Sequence, residues 1–195
     1  MAEAAEGSVP DGSVPDGSVP DGIVPDEKDW TWVLHRPCPE CGFDTRTVDP
    51  RDVGGLLRDN AASWRDVLSG RSDADVRRRP DPATWSTLEY ACHVRDVFRL
   101  YDERLRLMLT LDGPHYPNWD QDATAVEARY GAQDPAHVCA ELLEAGRTLA
   151  DSFDKVGDDE WERTGFRSDG AAFTVATFAR YLVHDPIHHL HDVTR

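Results

Sequence analysis

Four stretches of helical periodicity constrain the fold of this chain more than any other feature of its sequence. Apolar residues recur every three to four positions in each stretch, as they do on the buried face of an amphipathic helix. The stretches are residues 50–70, 86–111, 135–153 and 174–193. Two of them begin with Asp-Pro, and Ser86 with Glu89 forms a capping box at the start of another. The sequence therefore predicts an all-α protein with the architecture of a four-helix bundle.

The connections between these helices are long for a minimal bundle. They comprise residues 71–85, 112–133 and 157–173, and connections of this length can cross an end of the bundle and wall a pocket. Aromatic residues in them are the candidate wall residues: Trp85, Tyr116, Trp119 and Tyr130. A shorter helix is predicted at residues 123–130 and a short extended piece at residues 30–34.

The first 28 residues have a different composition from the rest of the chain. Residues 7–26 read GSVPD-GSVPD-GSVPD-GIVPD, and Val or Ile is the only large apolar side chain in each unit. Such a repeat cannot bury enough apolar surface to offset its conformational entropy. We predict that residues 1–28 form a disordered acidic tail, that residues 29–49 form an extension containing a CxxC motif, and that residues 50–195 form the bundle.

Charge and hydropathy disfavour nucleic-acid binding and membrane insertion. The formal net charge is −16, which disfavours nucleic acid because that affinity depends on Lys and Arg contacts to phosphate. No apolar run is long enough to span a membrane, and no secretory signal is visible. The four cysteines, in a chain without a secretory signal, are expected to be reduced thiols in the cytoplasm.

The last predicted helix carries four of the eight histidines, within HDPIHHLHDV at residues 184–193. His184 with His188, and Asp185 with His189, are each four residues apart, so either pair can hold one divalent metal. On a helical wheel Asp185 and His189 lie on or beside the apolar stripe, and a buried Asp is costly unless it is paired or metal-bound. We therefore predict that Asp185 and His189 point inward and that His184, His188 and His191 face water or surround the ligands without binding the metal. Pro186 can rotate this register, so His184/His188 remains the alternative pair, and a buried polar pair without metal also remains open.

A third ligand for the inward pair can come from the second predicted helix. His93 lies at the margin of the apolar face of that helix. Together with Asp185 and His189 it would complete a set of three ligands that leaves coordination positions open, as catalytic metal sites require. Asp96 and Asp192 each follow one of these histidines by three residues, and are candidates to orient the ligating rings.

The sequence around His93 resembles a known family. Residues 84–97 (TWSTLEYACHVRDV) are similar to the TWs-x-x-E-x-x-x-H-x-x-D segment of the DinB/YfiT-like metalloprotein superfamily. The last helix resembles the final helix of that family, in which an acid or His is followed four residues later by a His. The resemblance covers about residues 50–193 and implies a DinB-like four-helix bundle. Carried over residue by residue, it places the three metal ligands of the family on His93, Asp185 and His189.

The same resemblance implies an activity and its cofactors. The superfamily includes mycothiol and bacillithiol S-transferases and the N-terminal domain of mycothiol-dependent maleylpyruvate isomerase. By this resemblance the chain is expected to bind a divalent metal, Zn²⁺ or Ni²⁺, that ionises a low-molecular-weight thiol such as mycothiol. The thiolate is the nucleophile toward an electrophilic carbon. An acid at the second ligand position departs from the common all-His set.

The extension contains the motif CPECG, which resembles one knuckle of a zinc ribbon. Cys38 and Cys41, with His35 as a third ligand, could hold a second metal. They could instead form a redox pair, or the motif could be an ordered turn without a function. Cys92 and Cys139 lie within predicted helices and are most simply small core residues.

Two functions from different classes follow from these patterns. The first is a metal-dependent, thiol-utilising transferase or isomerase, whose partners are a small-molecule thiol and an electrophilic substrate. The second is a non-catalytic metal-binding or stress-related interaction protein, with the tail and the CxxC motif making partner contacts. In either case the chain could associate as a homodimer. An enzyme needs an open metal position inside a pocket, whereas a structural or sensing site can be closed.

Overall fold

The computed structural model describes residues 29–195, so the predicted disorder of residues 1–28 lies outside the described residues. Four long helices form the body of the fold, and two short helices lie between them. The six helices are α1 (Val53–Ser69), α2 (Asp73–Arg77), α3 (Thr87–Thr110), α4 (Gln121–Glu127), α5 (Pro135–Phe153) and α6 (Val175–Thr194). The predicted four-helix bundle is confirmed, and the four long helices agree closely with the four periodic stretches. Within residues 29–195, no helix is both long enough and apolar enough to cross a bilayer.

Side-chain caps begin the long helices where the sequence predicts them. The Ser86 hydroxyl accepts a hydrogen bond from the Glu89 N–H, and Glu89 in turn accepts one from the Ser86 N–H. The Asp134 carboxylate caps α5, with Pro135 as its first residue. The first periodic stretch differs slightly, because a 3-10 turn at Pro50–Asp52 precedes α1.

The long helices do not pack in the order of the chain. Helices α1 and α3 pack mainly against α5 and α6 rather than against each other. Each of the four helices contributes large side chains that are fully buried, so one continuous core runs through the bundle. Examples from α1, α3, α5 and α6 are Trp64, Phe98, Leu142 and Phe178.

The long connections contain a small sheet that the sequence did not predict. Strands β1 (His115–Tyr116) and β2 (Thr164–Arg167) are parallel, and β2 is antiparallel to β3 (Ala172–Thr174). Strands this short are below the length at which alternation of apolar and polar residues becomes recognisable. Strand β3 leads directly into α6, whose N-terminus is capped by the Thr174 hydroxyl. The sheet thereby ties two of the connections to the start of the last helix.

The extension at residues 29–49 lies against α6. It contains 3-10 helices at Trp30–Leu34 and Thr45–Thr47, and both of these pack on α6. The expectation of an extended piece at residues 30–34 was wrong, because the Asp29 carboxylate accepts the Thr31 N–H and begins a helical turn. The short helix predicted at residues 123–130 is present as α4, displaced by a few residues toward the N-terminus.

Candidate metal centre

His93 is held in the interior by the first turns of α3. Its side chain is fully buried, and its ring stacks on Trp119 with a centroid separation of 5.2 Å and lies 5.4 Å from the ring of Trp85. Among the described residues, neither ring nitrogen of His93 has a hydrogen-bond partner. A buried polar group normally has such a partner, so this imidazole has ligand capacity that the protein does not satisfy.

Asp185 and His189 on α6 face His93. The Nε2 atom of His93 lies 3.4 Å from Oδ1 of Asp185, and Nε2 of His189 lies 3.8 Å from Oδ2 of the same carboxylate. The ligand atoms of the three residues all lie within 4.8 Å of one another. The structure therefore brings together the three residues predicted as metal ligands. Their binding of a metal stays a prediction.

The chemistry of this group fits a divalent cation. The Oδ1 atom of Asp185 is buried and has no hydrogen-bond partner among the described residues. Burial acts to raise the pKa of Asp185, but the imidazoles of His93 and His189 hold it below its usual range. An ionised carboxylate and two imidazoles, whose ligand atoms lie within 4.8 Å of one another, form the donor set that zinc and other borderline metals accept.

Of the two acids predicted to orient the ligating rings, only Asp192 lies beside one of them. Oδ2 of Asp192 lies 3.5 Å from Nδ1 of His189, on the side of the ring away from Asp185. Asp96 does not reach His93, so its predicted role there was wrong. The carboxylate of Asp96 instead accepts hydrogen bonds from the Tyr130 hydroxyl at 2.6 Å and from the Arg95 guanidinium at 2.8 Å. Position i+3 on a helix brings an acid near a histidine, but these stronger donors determine where it points.

His184 and His188 do not face water, contrary to the prediction. Only 4% of His184 and 6% of His188 is exposed, because the extension covers the flank of α6 that the helical wheel assigns to solvent. Sγ of Cys38 lies 3.6 Å from Nδ1 of His188, and Sγ of Cys41 lies 3.8 Å from Nε2 of His184. The alternative ligand pair therefore lies at the CxxC motif rather than at His93.

The third ligand predicted for the CxxC motif, His35, lies apart from the two cysteines. His35 is exposed and does not belong to the group that Cys38 and Cys41 form. All four cysteines of the chain are free thiols in the structure. Burial raises the pKa of Cys41 to about 11, so without a cation this thiol is protonated near neutral pH and is a poor nucleophile. Cys92 is a core residue, as predicted, and Cys139 is half-buried.

A cavity of about 610 Å³ opens beside Asp185 and His189. Its wall combines aromatic, cationic and acidic side chains from α3, α6, the extension and the connections. The lining residues include Trp30, Tyr101, Arg104, Trp119, Asp122, Arg167, Tyr181, Asp185 and His189. A cavity of this size can enclose a small organic molecule next to the candidate ligands.

Sequence reasoning identified only part of this wall. Of the aromatic residues predicted for it, Trp119 lines the cavity, whereas Trp85, Tyr116 and Tyr130 are buried in the core. Arg104 and Tyr181 were not predicted. They lie on long helices whose apolar periodicity gave no sign that one of their faces borders a cavity.

Comparisons with known proteins agree with this architecture. The structure of YfiT from Bacillus subtilis, described as a probable metal-dependent hydrolase with an unusual four-helix bundle topology, is similar with a TM-score of 0.67 and 18% identity. The similarity covers 75% of this chain and 86% of that chain, and at this identity it shows the fold alone. The comparison with curated proteins gives no match. The family model of the DinB superfamily matches residues 56–193, which include His93, Asp185 and His189. Because this match spans well over half of the chain, the protein belongs to the DinB superfamily.

Proposed function

We propose that this protein is a divalent-metal-dependent enzyme that activates a low-molecular-weight thiol, such as mycothiol, for attack on an electrophilic carbon. The observation that carries the proposal is the position of a three-ligand group at the wall of a cavity. Three protein ligands leave coordination positions for a substrate, whereas a purely structural site uses four. About a third of the Asp185 side chain is exposed, on the face that lines the cavity.

His93, Asp185 and His189 would hold the metal, which we expect to be Zn²⁺ or Ni²⁺. When bound, the cation would supply the charge that lowers the pKa of a coordinating thiol, so that the nucleophilic thiolate is available near neutral pH. One carboxylate and two neutral imidazoles leave a net positive charge on the loaded centre, which favours an anionic sulfur over a neutral one.

Other side chains support this centre. Asp192, beside Nδ1 of His189, would orient that ring so that Nε2 points to Asp185 and His93. The indole of Trp119 covers one face of the His93 ring and excludes water from it. Arg104 and Tyr181 in the cavity wall offer donors for polar parts of the thiol or of the electrophile. These groups position the reactants, and we assign no further side chain to the chemical step.

Hydrolysis is a second candidate, because the similar fold of YfiT is described as that of a probable metal-dependent hydrolase. The same open centre could bind water in place of a thiol. A non-catalytic metal-binding protein is the third reading. It differs from the other two in predicting that the centre binds metal without turnover of any substrate.

The test combines metal analysis with product detection. Metal-loaded protein is incubated with mycothiol, bacillithiol or glutathione and a generic alkylating electrophile, and the S-conjugate is measured by mass spectrometry above the uncatalysed rate. His93→Ala and His189→Ala should remove the metal of this centre and lower the rate to background. His191→Ala is the matched control, since it removes a histidine of the same helix that belongs to neither ligand group.

Three results would contradict the proposal. An unchanged rate in His93→Ala would remove the metal centre from the reaction. Cleavage of ester or amide substrates without any thiol would favour the hydrolase. Bound metal with neither conjugate nor hydrolysis product would favour the non-catalytic reading.

A further inference from the structure

A second group of metal-ligating side chains lies on a neighbouring flank of α6, and its two histidines also line the cavity. Cys38 and Cys41 come from the extension, and His184 and His188 come from α6. One ligand atom from each of the four residues lies within 4.8 Å of the other three. More than 140 residues separate the two cysteines from the two histidines, and Cys41 and His184 are 143 positions apart. The spacing C-x2-C followed by H-x3-H is nevertheless that of Cys₂His₂ zinc sites.

The distances match a tetrahedral centre. Zinc binds sulfur at about 2.3 Å and imidazole nitrogen at about 2.0–2.1 Å, so the sulfur–nitrogen edge of a tetrahedron is about 3.5–3.6 Å long. The Cys38–His188 distance is 3.6 Å and the Cys41–His184 distance is 3.8 Å. Both contacts are longer than ordinary hydrogen bonds to nitrogen or oxygen, and both are close to this edge.

The backbone of the CxxC segment presents both thiols to α6. The Gly42 N–H donates to the Cys38 carbonyl at 2.8 Å, and the Cys38 N–H donates to the Phe43 carbonyl at 2.9 Å, which closes a tight turn. Gly42 has a φ of +75°, a conformation that glycine adopts without strain.

The histidines are oriented as ligands by their surroundings. Nε2 of His188 lies 3.5 Å from carboxylate oxygens of both Glu40 and Asp192, which leaves Nδ1 directed at Cys38. A carboxylate on the far nitrogen is the usual partner of a zinc-bound imidazole. The ring of Trp30 lies 5.7 Å from that of His184 and 5.5 Å from that of His188, and shields the group.

We propose that Cys38, Cys41, His184 and His188 bind one structural Zn²⁺, separate from the three-ligand group on the same helix. Two thiolates and two neutral imidazoles compensate the charge of the dication, so the loaded site is neutral and suited to a buried position. Four protein ligands complete the coordination shell and leave no position for a substrate. The site does not depend on the proposed function.

The consequence of this site is the attachment of the extension to the bundle. The zinc links the CxxC turn directly to α6 and thereby holds Asp29 and Trp30 in the wall of the cavity. A redox role for the two thiols would leave the two buried histidines without a purpose. The zinc site uses all four side chains.

Cobalt substitution of the full-length protein tests this proposal. Metal is removed by chelation and Co²⁺ is titrated in, because thiolate-to-cobalt charge-transfer absorption appears only when cysteine sulfur binds the ion. We expect this absorption in the wild type, with about one equivalent of cobalt responsible for it. We expect its complete loss in Cys38→Ser/Cys41→Ser. Cys139→Ser is the matched control, since that half-buried thiol lies outside both ligand groups.

The two metal sites are distinguished by their own variants. His93→Ala should keep the charge-transfer absorption while losing the metal of the three-ligand centre, whether or not that centre is catalytic. Zinc should raise the midpoint of thermal unfolding of the wild type by more than that of Cys38→Ser/Cys41→Ser, in which only the three-ligand centre remains to bind it. Wild-type protein that binds cobalt without charge-transfer absorption would overturn the proposal, and this result does not depend on the folding of any variant. Persistence of the absorption in the double variant would overturn it equally.

Discussion

Replacing Glu89 by Gln tests how strongly the start of α3, and hence the position of His93, depends on one carboxylate. Oε2 of Glu89 accepts the Ser86 N–H at 2.8 Å and Nε of Arg79 at 2.9 Å. Oε1 accepts Nη2 of Arg79 at 2.5 Å. The substitution keeps the volume of the side chain but removes its charge, so that Arg79 loses its ionic partner.

The expected cost follows from the exposure of the two partners. The side chains of Glu89 and Arg79 are 11% and 32% exposed. Hydrogen bonds to charged groups are worth about 1.5–3 kcal/mol, whereas exposed ion pairs contribute about 0–1 kcal/mol. Because Arg79 is partly screened by solvent and Gln can still accept the Ser86 N–H, we expect Glu89→Gln to lower the free energy of unfolding by about 2 kcal/mol.

The pH dependence of this cost has a definite sign. Burial opposes ionisation of Glu89, but the Arg79 guanidinium and the Ser86 donors hold its pKa below the usual value of 4.5. Since the pKa is lower in the folded state, the stabilisation is present above the unfolded pKa and is lost as the pH falls through the folded pKa. The difference between wild type and variant should therefore be constant near neutral pH and shrink on acidification.

The assay is urea unfolding of zinc-saturated protein at neutral pH, repeated on metal-free proteins at neutral pH and below the usual carboxyl pKa. Glu144→Gln is the matched control, because Glu144 pairs with Arg147 on the surface of α5. The side chains of Glu144 and Arg147 are 65% and 58% exposed. That control should change the free energy of unfolding by less than about 0.5 kcal/mol. Equal costs for the two variants, or a Glu89→Gln cost that grows with acidification, would refute the reasoning.

Three further variants test packing and the metal sites. A Cβ on Gly146 of α5 would lie 3.0 Å from atoms of Ala61 and Phe98, so Gly146→Ala should destabilise the fold by about 1–2 kcal/mol in urea unfolding despite its better helix propensity. A Cβ on Gly55 of α1 would meet open space, so Gly55→Ala should instead stabilise the fold by up to about 1 kcal/mol. Changes of the same sign in the free energy of unfolding for both variants would contradict this account. Asp192→Asn should weaken metal binding about 10-fold or more in chelator competition, because that carboxylate contacts a histidine of each ligand group. Unchanged affinity at both sites would show that the carboxylate orients neither ring.

The helices and the inward ligand pair could be predicted from the sequence because they depend on local patterns. Apolar periodicity and N-terminal caps depend on residues within one or two turns of each other, and these features correctly located α1, α3, α5 and α6. The same periodicity predicted that Asp185 and His189 point inward, and the structure places them against His93 at the wall of the cavity. His184 and His188 were misjudged, because a helical wheel divides a helix into one buried and one exposed face. Helix α6 is covered on both flanks, by the bundle and by the extension.

Local sequence therefore determined the helical architecture, the capping box before His93 and the spacing of ligands along α6. These properties depend on backbone hydrogen bonds and side-chain positions within a few residues. Only the tertiary structure decided which residues the CxxC motif meets. The pairing of Cys38 and Cys41 with two histidines more than 140 residues away, and the cavity beside Asp185, both arise where separate segments pack together. A contact of that kind leaves no periodic trace in either segment, because each segment satisfies its own local pattern whether or not the other is present.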